Sequence, residues 1–502
     1  MGLARAWAVT LHGVAGHVVE IEADVGGGLP GLHLVGLPDA VLNESRDRVR
    51  AAVVNSGRSW PGERILLALS PATIRKTGAG FDLGLACAVL AAKEVVPQAA
   101  LDSTLLIGEL ALDGRLRSVA GVLPCLLAAR RAGLRRVVVP AAALAEAALV
   151  EGVEVHGAAT LNEVLLWLRG EGALQAPGTV APARAEAAPD LADVVGQEDG
   201  RRALEIAAAG GHHLLMVGPP GSGKTMLARR LVGLLPRLAP DEALELASIR
   251  SVAGVLPADG PLSRVAPMVA PHHTSSMAAL IGGGSRIARP GAVSLAHRGV
   301  LFVDEAPELK AHVLDALRTP LEEGEVRLAR SGGTVTYPAR FQLVLAANPC
   351  PCAPALDRDC VCSSLTRRRY LGRLSGPLLD RVDLRARMLP VTGFAAPSGR
   401  SEDTATVRER VLAARAAALE RWAGHGWRSN NEVPGPALRG PFALPRAAVR
   451  PLDRALRAGE LTARGADRAL RVAWSIGDLA GLDRPGPAEV ESALYYRDRR
   501  VL

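Results

Sequence analysis

A glycine-rich loop that closes on a lysine is the first group of residues that could do chemistry. The loop consists of Gly218, Pro219, Pro220, Gly221, Ser222, Gly223, Lys224 and Thr225. Glycines let backbone N–H groups close around phosphates, and a compact ammonium reaches the β- and γ-phosphates where a planar guanidinium fits poorly. Lys224 is one of only four lysines in the 502 residues. We predict that this loop binds ATP together with Mg²⁺.

Two carboxylates at the end of an apolar run form the second group. Residues 300–303 predict a buried strand, and Asp304 and Glu305 follow it directly. Adjacent side chains on a strand point in opposite directions, so the two acids can take different roles. We predict that Asp304 and the Thr225 hydroxyl hold Mg²⁺, while Glu305 orients and deprotonates the attacking water.

A third apolar run, residues 341–347, ends at Asn348. An asparagine at a strand end is often a turn residue. Its place in the chain, after the loop and the two acids, favours instead a role in positioning water near the γ-phosphate. Asn348 therefore joins Glu305 among the predicted catalytic residues.

Four cysteines within thirteen residues follow that asparagine: Cys350, Cys352, Cys360 and Cys362. Four thiolates can enclose a tetrahedral Zn²⁺, which makes zinc a candidate cofactor. The C-x-C spacing is tighter than the commoner C-x-x-C, so loop thiols without a metal remain an alternative. A stable disulfide is disfavoured in the cytoplasm. The other two cysteines, Cys87 and Cys125, lie in apolar runs and are expected in the core.

The elements that must position these groups can be read from the pattern of apolar residues. Residues 213–217 predict a short buried strand before the loop, and Leu227, Leu231 and Leu234 recur after it at helical spacing until Pro236. This strand, loop and helix are the context that a phosphate-binding loop requires.

The chain divides at residues 171–190, where alanine, proline and glycine predict an exposed linker. Residues 1–170 alternate strand-like runs, such as 64–69, with helical stretches, such as 39–56, and predict an α/β domain. Residues 191–390 are expected to form the nucleotide-binding core, and residues 391–502 a helical domain. In that domain five apolar residues are expected on one helical face: Val407, Val411, Leu412, Leu419 and Trp422.

The composition indicates a folded protein, with 49% hydrophobic and 22% charged residues. No apolar run approaches the roughly 20 residues that span a bilayer, and no secretory signal is evident, so we expect a cytoplasmic protein without a membrane partner. The net charge of +8 is modest, but residues 358–387 contain eight arginines and three aspartates. This excess suits phosphates or nucleic acid, and arginines paired within or between subunits are the alternative.

The loop, the two acids and the asparagine occur in the order and spacing of AAA+ ATPases. Longer runs narrow the resemblance to the magnesium-chelatase-like branch and, within it, to the ComM/YifB family: APHHT at 270–274, ALIGGG at 279–284, NPCPC at 348–352 and LSGPLLDRVD at 374–383. The resemblance covers nearly the whole chain. It implies an α/β fold in which an AAA+ P-loop core with a helical C-terminal lid follows an α/β Lon-protease-like domain.

The resemblance also implies an activity. Members of this family are expected to form homo-hexameric rings that move on single-stranded or branched DNA. They would drive branch migration during homologous recombination, notably of transforming DNA, with recombination proteins as further partners.

Several arginines receive roles from the resemblance alone. Arg381 is identified as the arginine finger that completes a neighbouring subunit's site, with Arg373 as the second choice. Arg464 looks like the arginine that senses the γ-phosphate in its own subunit, and Arg468 and Arg471, one and two turns further on, are its alternatives.

Residues 325–336 predict a β-hairpin with a Gly-Gly turn. Similar ATPases place such a hairpin in the ring pore, where Arg327 and Arg330 would meet DNA phosphates and give salt-dependent affinity. A surface hairpin with solvated arginines is the alternative. Aromatic residues make up only 3% of the chain, so backbone electrostatics should outweigh base stacking.

Residues 76–82 and 108–115 resemble the proteolytic domain of Lon, which uses a Ser-Lys dyad. The nucleophile position falls on Gly80 and the lysine position on Cys125, and neither residue can perform that role. We therefore expect a scaffold or DNA-engaging domain without peptidase activity, with Lys76 at the surface or in a turn contact.

Three functions compete on these observations: a DNA-translocating ring ATPase, a chelatase-type motor that remodels a protein partner for metal insertion, and an ATP-dependent protease. The chain has no D-x-S-x-S metal-adhesion motif, which opposes the second function. The missing dyad opposes the third.

Overall fold

The computed structural model describes residues 2–178, 189–257, 262–284, 288–330, 333–354, 356–390 and 401–497. The predicted linker and the start of the predicted helical domain therefore lie partly outside the described residues. Among the residues described, no helix is both long and apolar enough to cross a bilayer.

A mixed sheet organises the amino-terminal region. The strands of this region are β1 (Gly2–His12), β2 (Ala15–Gly26), β3 (Gly31–Val35), β4 (Arg64–Ser70), β5 (Thr104–Leu106), β6 (Glu109–Leu110), β7 (Leu116–Arg117), β8 (Arg136–Pro140) and β9 (Glu154–Ala158), of which β6 and β7 form a separate pair. Its helices are α1 (Ala40–Asn55), α2 (Asp82–Ala92), α3 (Gln98–Leu101), α4 (Val122–Arg131), α5 (Leu144–Ala147) and α6 (Leu161–Leu168). The order of the seven-stranded sheet is β3-β4-β2-β1-β5-β8-β9.

The predicted strand at 64–69 and the predicted helix at 39–56 are confirmed as β4 and α1. Helix α1 begins after Asp39 because the Asp39 carboxylate accepts a hydrogen bond from the backbone N–H of Leu42 at 2.8 Å, which caps the helix. Helix α2 is apolar all round and every one of its residues is buried, so it forms the centre of this region's core.

The nucleotide-binding core is built on a second sheet. Its strands are β10 (Leu214–Val217), β11 (Met268–Val269), β12 (Gly282–Gly283), β13 (Arg289–Pro290), β14 (Val300–Val303), β15 (Glu325–Arg330), β16 (Gly333–Pro338), β17 (Gln342–Ala347) and β18 (Leu384–Arg387). Its helices are α7 (Glu198–Gly210), α8 (Lys224–Leu234), α9 (Pro240–Ala253), α10 (Met277–Leu280), α11 (Ala292–Leu295), α12 (Ala311–Asp315), α13 (Arg318–Glu323), α14 (Ser364–Leu371) and α15 (Gly376–Leu379).

Five of these strands pair in parallel in the order β11-β14-β17-β10-β18. Strands β10, β14 and β17 are buried at every position, as expected for parallel strands that are covered on both faces. The chain therefore leaves β10, β14 and β17 at the same edge of the sheet, and this brings the three predicted chemical groups together.

The carboxy-terminal region is helical, with α16 (Thr404–Trp422), α17 (Gly435–Arg439), α18 (Arg446–Arg457), α19 (Ala463–Leu479) and α20 (Pro487–Tyr495). The expected apolar face of α16 is confirmed at Val407, Val411 and Trp422. It is wrong at Leu412 and Leu419, which are 36% and 50% exposed. Small alanines at 414 and 418 complete the buried stripe instead, because they continue the spacing of three to four residues.

The amino-terminal region packs against the core through α4 and α9. The side chain of Glu146 accepts hydrogen bonds from the Leu123 N–H at 2.7 Å and from the Ser251 hydroxyl, and it joins the two regions. Burial raises the pKa of Glu146. The β1–β2 turn also lies against the β15–β16 hairpin, since a Cβ on Gly13 would stand 2.4 Å from the Thr336 carbonyl oxygen.

Candidate nucleotide-binding and hydrolysis site

The phosphate-binding loop leaves β10 and enters α8 with a geometry that only glycine tolerates. A Cβ on Gly218 would stand 2.5 Å from the Met388 carbonyl oxygen. Gly221 and Gly223 have φ angles of 75° and 88°, in the left-handed region that favours glycine. The loop therefore has the shape that lets backbone N–H groups surround a phosphate, which fits the nucleotide predicted from the sequence.

Lys224 is the first residue of α8 and is held within this loop. Its ammonium donates hydrogen bonds to the carbonyl oxygens of Gly218 and Pro219, at 2.7 and 2.8 Å, and to Oδ1 of Asn348 at 3.1 Å. Burial lowers its pKa. These three oxygens accept the hydrogen bonds that the ammonium would otherwise donate to a bound triphosphate. The contact with Asn348 confirms that β17 delivers this residue to the loop.

Thr225 and Asp304 meet across the site. The Thr225 hydroxyl donates a hydrogen bond to Oδ2 of Asp304 at 2.6 Å. A hydroxyl and a carboxylate are the hard oxygen ligands that Mg²⁺ prefers, so the pair fits the predicted magnesium site. The other Asp304 oxygen accepts from the backbone N–H of Glu305 at 2.9 Å, which fixes the carboxylate.

Glu305 is turned away from its neighbour by an unusual backbone conformation. Its φ of 47° is rare for a residue other than glycine. Its side chain is 50% exposed, and Oε2 lies 3.6 Å from Nδ1 of His273. Glu305 is therefore accessible to a water molecule and is oriented by a second side chain.

His273 is a site residue that the analysis of the sequence alone missed. It lies four residues after the two-residue strand β11, which pairs in parallel with β14, so both strands lead towards the same edge of the sheet. The run APHHT was noticed only as a family motif. A strand as short as β11 has too few residues for apolar periodicity to reveal it.

The predicted arginines of the carboxy-terminal helix lie at the opposite edge of the sheet. Arg468 pairs with Asp383 at 2.6 Å, and Asp383 accepts from the His213 N–H at 2.9 Å, immediately before β10. The loop follows β10, and the four residues of that strand alone span about 13 Å. Arg464 lies 4.0 Å from Asp380 and is 77% exposed.

The role of Arg464 in sensing the γ-phosphate of its own subunit therefore stays a prediction. Among the described residues, Arg464 and Arg468 contact Asp380 and Asp383 and make no contact with the loop of the same chain. Arg471 is half-buried and donates to the Val433 carbonyl oxygen at 2.7 Å, and burial lowers its pKa. The sequence placed all three on one helix correctly, but it could not show which edge of the sheet that helix covers.

Arg381 lies at the same edge as Arg468, and its side chain is 9% exposed. It forms an ion pair with Glu322 and donates to the Pro377 carbonyl oxygen at 2.6 Å. Arg373, the second choice, is half exposed and pairs with Glu308 at 3.2 Å. In the part of the chain that the structure describes, Arg381 therefore makes no contact with the loop, whereas Arg373 contacts the segment that follows Glu305.

The buried ion pair at this edge is embedded in a polar cluster. Burial acts to raise the pKa of Asp383, but the charge of Arg468 and contacts with His212 and His213 outweigh burial and hold that pKa well below its usual range. Burial lowers the pKa of His213 to about 4. The cluster joins the first residues of β10 and β18 to helix α19.

The predicted hairpin is confirmed as the antiparallel pair β15–β16, and residues 331 and 332 of its turn lie outside the described residues. Arg327 is 59% exposed, but it pairs with Glu325 at 2.7 Å and with Glu323 at 3.4 Å. Arg330 is the last residue of β15 and pairs in register with Gly333. Two neighbouring carboxylates thus offset the positive charge of Arg327.

The four cysteines after Asn348 come together. Their sulfur atoms all lie within 4.8 Å of one another. This arrangement could hold Zn²⁺. By contrast, Cys87 and Cys125 are buried in the core as expected.

The amino-terminal region contains no Ser-Lys dyad at the positions suggested by Lon. Gly80 lies in a short 3₁₀ turn, and Cys125 is buried within α4. Lys76 is fully buried, which corrects the surface alternative, and its ammonium donates to the Pro71 carbonyl oxygen, which is the expected turn contact.

Family models match most of the chain. The model for magnesium chelatase, subunit ChlI, covers residues 190–394; a second, described as subunit ChlI of Mg-chelatase, covers residues 21–143; and the ChlI C-terminal model covers residues 401–497. With the parallel sheet and the loop, these matches define a magnesium-chelatase-like AAA-type protein. A domain of this class implies an ATPase that uses ATP and Mg²⁺.

Relatives that match nearly the whole chain identify the family within this class. An uncharacterized protein of Mycobacterium tuberculosis is 59% identical over 497 residues, which are 99% of both chains. The uncharacterized protein YifB of Escherichia coli is 41% identical over 97% of this chain and 95% of its own. The competence protein ComM of Haemophilus influenzae is 40% identical over 99% of this chain and 98% of its own. The chain belongs to the YifB/ComM family.

Proposed function

We propose that this protein is an ATP-driven DNA motor that acts as a homo-hexamer and drives branch migration in homologous recombination, including the integration of transforming DNA. The observation that carries the proposal is the hydrogen-bonded set of Lys224, Asn348, Thr225 and Asp304 beside the exposed Glu305. The full-length likeness to a competence protein supports the choice of DNA as the track.

Each residue of the site has a part in hydrolysis. Lys224 would exchange its two carbonyl acceptors for phosphate oxygens, and Asn348 would hold the attacking water near the γ-phosphate. Glu305 would accept the proton of that water. Thr225 and Asp304 would hold Mg²⁺, which neutralises negative charge on the phosphates.

The contacts of the arginines support completion of the site by a neighbouring subunit. Arg381 and Arg464 contact residues near the edge of the sheet opposite their own loop, which favours a role in another copy of the chain. A cation supplied from a neighbour neutralises charge on the transferred phosphoryl group and makes hydrolysis depend on assembly. Arg381 must first leave Glu322, which would let assembly control the exchange.

A chelatase-type motor that remodels a protein partner for metal insertion is the second candidate. The descriptions of the matching family models favour it. The full-length match to a competence protein and the absence of a metal-adhesion motif favour the DNA motor instead.

The rate of ATP hydrolysis with and without added DNA distinguishes the DNA motor from the chelatase-type motor. We expect single-stranded or branched DNA to raise the rate, and we expect the wild-type protein with ATP to move a branch point in a synthetic four-way junction. The Glu305→Gln protein with ATP is the matched control and should leave the junction intact. A wild-type rate that DNA leaves unchanged, together with an unmoved junction, would refute the proposal.

A further inference from the structure

We propose that the four cysteines bind one Zn²⁺ and that this metal holds an arginine-rich helix in place as a contact for the phosphate backbone of DNA. The cysteine–arginine segment comprises residues 349–373 and includes helix α14. The metal site stands on its own observations. The choice of DNA as the ligand depends on the proposed function.

The separation of the thiols is that of a tetrahedral metal site. The Cys350 sulfur lies 3.3 Å from that of Cys352 and 3.5 Å from that of Cys360, and the Cys352 and Cys360 sulfurs are 3.6 Å apart. Four thiolates at about 2.3 Å from a central zinc would stand about 3.8 Å apart. Cys362 completes the set. The four sulfur atoms are therefore close enough together to be ligands of one metal ion.

The segment has almost no apolar core of its own. Between Cys350 and Tyr370, none of the residues whose burial is described is buried. Two of its apolar side chains, Val361 and Leu365, are 89% and 55% exposed. A stretch of this length needs a cross-link to keep a fixed shape, and a structural metal provides one. The cysteines are the groups in the segment that could provide it.

What this cross-link would hold is a strongly basic helix. Helix α14 carries Arg367, Arg368 and Arg369 in succession and contains no acidic residue. All three are exposed, and Arg358 is exposed nearby in the sequence. The arginine-rich stretch 358–387 had two interpretations, contact with phosphates or nucleic acid and pairing within or between subunits. Each interpretation applies to a different part of the stretch. In its second part Arg381 and Arg385 are buried within the fold, whereas the arginines of its first part are exposed.

The surface of α14 is a better phosphate contact than the β15–β16 hairpin. The side chain of Arg327 on the hairpin is already paired with two glutamates. Consecutive exposed arginines give electrostatic attraction to a phosphate backbone without selecting a sequence. We therefore assign the principal backbone contact to Arg368 and Arg369.

The segment is also connected to the hydrolysis site at both ends. Cys350 follows Asn348, the residue that contacts Lys224, by two positions. At the other end Arg373 donates to the Pro307 carbonyl oxygen at 3.0 Å and pairs with Glu308, three residues after Glu305. A zinc-held helix could thus transmit the presence of DNA to the residues around the γ-phosphate.

Metal content is measured first, without DNA or ATP. Purified full-length protein from zinc-supplemented culture should contain one zinc per chain by mass spectrometry of the metal. The Cys360→Ser/Cys362→Ser protein should contain less than about a tenth of that, because two ligands are lost. The Cys87→Ala protein, which lacks a buried core thiol, is the control and should keep its zinc. A wild-type protein without zinc would overturn the metal site.

DNA affinity is measured next, by fluorescence anisotropy of a labelled single-stranded oligonucleotide with a non-hydrolysable ATP analogue. The Arg368→Glu/Arg369→Glu protein should bind at least about tenfold more weakly, with a smaller dependence on salt concentration. The Arg446→Glu/Arg450→Glu protein makes the same charge reversal on exposed positions of α18 and should bind like the wild type.

The outcomes separate this inference from the proposed function. If wild-type protein binds DNA and the α14 variant binds it equally well, the assignment of the contact is wrong while the DNA motor stands. If the wild type itself does not bind DNA, the proposed function fails, and the zinc measurement still decides the metal site. If the α14 variant loses assembly into rings instead of DNA affinity, the helix is a subunit contact and the assignment is again overturned.

Discussion

The two edges of the core sheet differ in whether the predicted site residues of one chain already contact one another. At the edge where β10, β14 and β17 end, Lys224, Asn348, Thr225 and Asp304 already contact one another. At the edge where β10 and β18 begin, Arg381, Arg464 and Arg468 lie beside acids and Arg471 donates to a backbone carbonyl oxygen, and among the described residues none of the four contacts the loop. A cleft of about 1080 Å³ opens there, between the core and the helical region, lined in part by Arg415, Arg468 and Arg471.

This difference suggests a division of labour between copies of the chain. On the proposed function, the first edge would bind and position a triphosphate without help from a neighbour. The second edge would offer its cations to the triphosphate of another subunit. A protein built in this way would hydrolyse ATP slowly alone and fast in a ring.

The largest expected effect is on the first edge. The Lys224→Ala protein should bind ATP at least about a hundredfold more weakly, because a charge-assisted contact to the phosphates is lost. Calorimetric titration with ATP and Mg²⁺ measures this directly. The Lys310→Ala protein removes an exposed lysine and should bind like the wild type. Unchanged affinity in the Lys224→Ala protein would contradict the proposal that the first edge binds the triphosphate.

The next effect separates binding from hydrolysis at the same edge. The Glu305→Gln protein should keep its affinity for ATP and lose at least about a hundredfold in turnover, since an amide cannot accept the proton of water. Affinity by titration and phosphate release by a coupled assay give the two values. Normal turnover would show that another residue is the base.

At the second edge, Arg468 and Arg464 provide a matched pair for stability. The Arg468→Ala protein leaves Asp383 buried and unpaired and should unfold about 3 kcal/mol more easily, whereas Arg464→Ala, at an exposed site, should change stability little. Denaturant unfolding measures both. Equal stability of the two variants would show that the buried pair does not fix α19 to the sheet.

This pair also has a predicted dependence on pH. The pKa of Asp383 is lower in the folded than in the unfolded state, so the unfolded state takes up a proton first as the pH falls. The stabilisation is therefore present above the usual aspartate pKa of about 4 and is lost as the pH falls below it. The Arg468→Ala protein should lose less stability over that range. A steeper loss in the variant would contradict the assignment.

The smallest expected effect concerns the residue that the sequence did not reveal. The His273→Ala protein should lose about tenfold or less in turnover, because the histidine positions Glu305 without replacing it. Its affinity for ATP should be unchanged and the pH profile of turnover altered. His312→Ala is the control, since it removes an exposed histidine on α12. Equal rates in the two variants would rule out the role.

The sequence predicts the contacts that follow from the order of the strands better than the contacts between segments that are distant in the chain. The loop, Asp304, Glu305 and Asn348 follow strands that end at one edge by the rule of parallel pairing, so their meeting could be predicted. The edge reached by Arg464, the burial of Arg381 and the proximity of His273 to Glu305 depend on packing between distant segments. No spacing along the chain encodes those contacts. The prediction that Leu412 and Leu419 are buried was wrong for a related reason, because alanines can form a tightly packed helix face as well as leucines do.

A mixing experiment tests the division of labour between subunits most directly. The Glu305→Gln and Arg381→Ala proteins, each inactive alone as an assembled ring, are combined in equal amounts with ATP and DNA. If Arg381 serves the neighbouring site, about a quarter of the mixed sites combine an intact Glu305 with an intact Arg381, and turnover returns to a comparable fraction of the wild-type rate. If the mixture stays as inactive as its components, although mixed rings form, the account is contradicted.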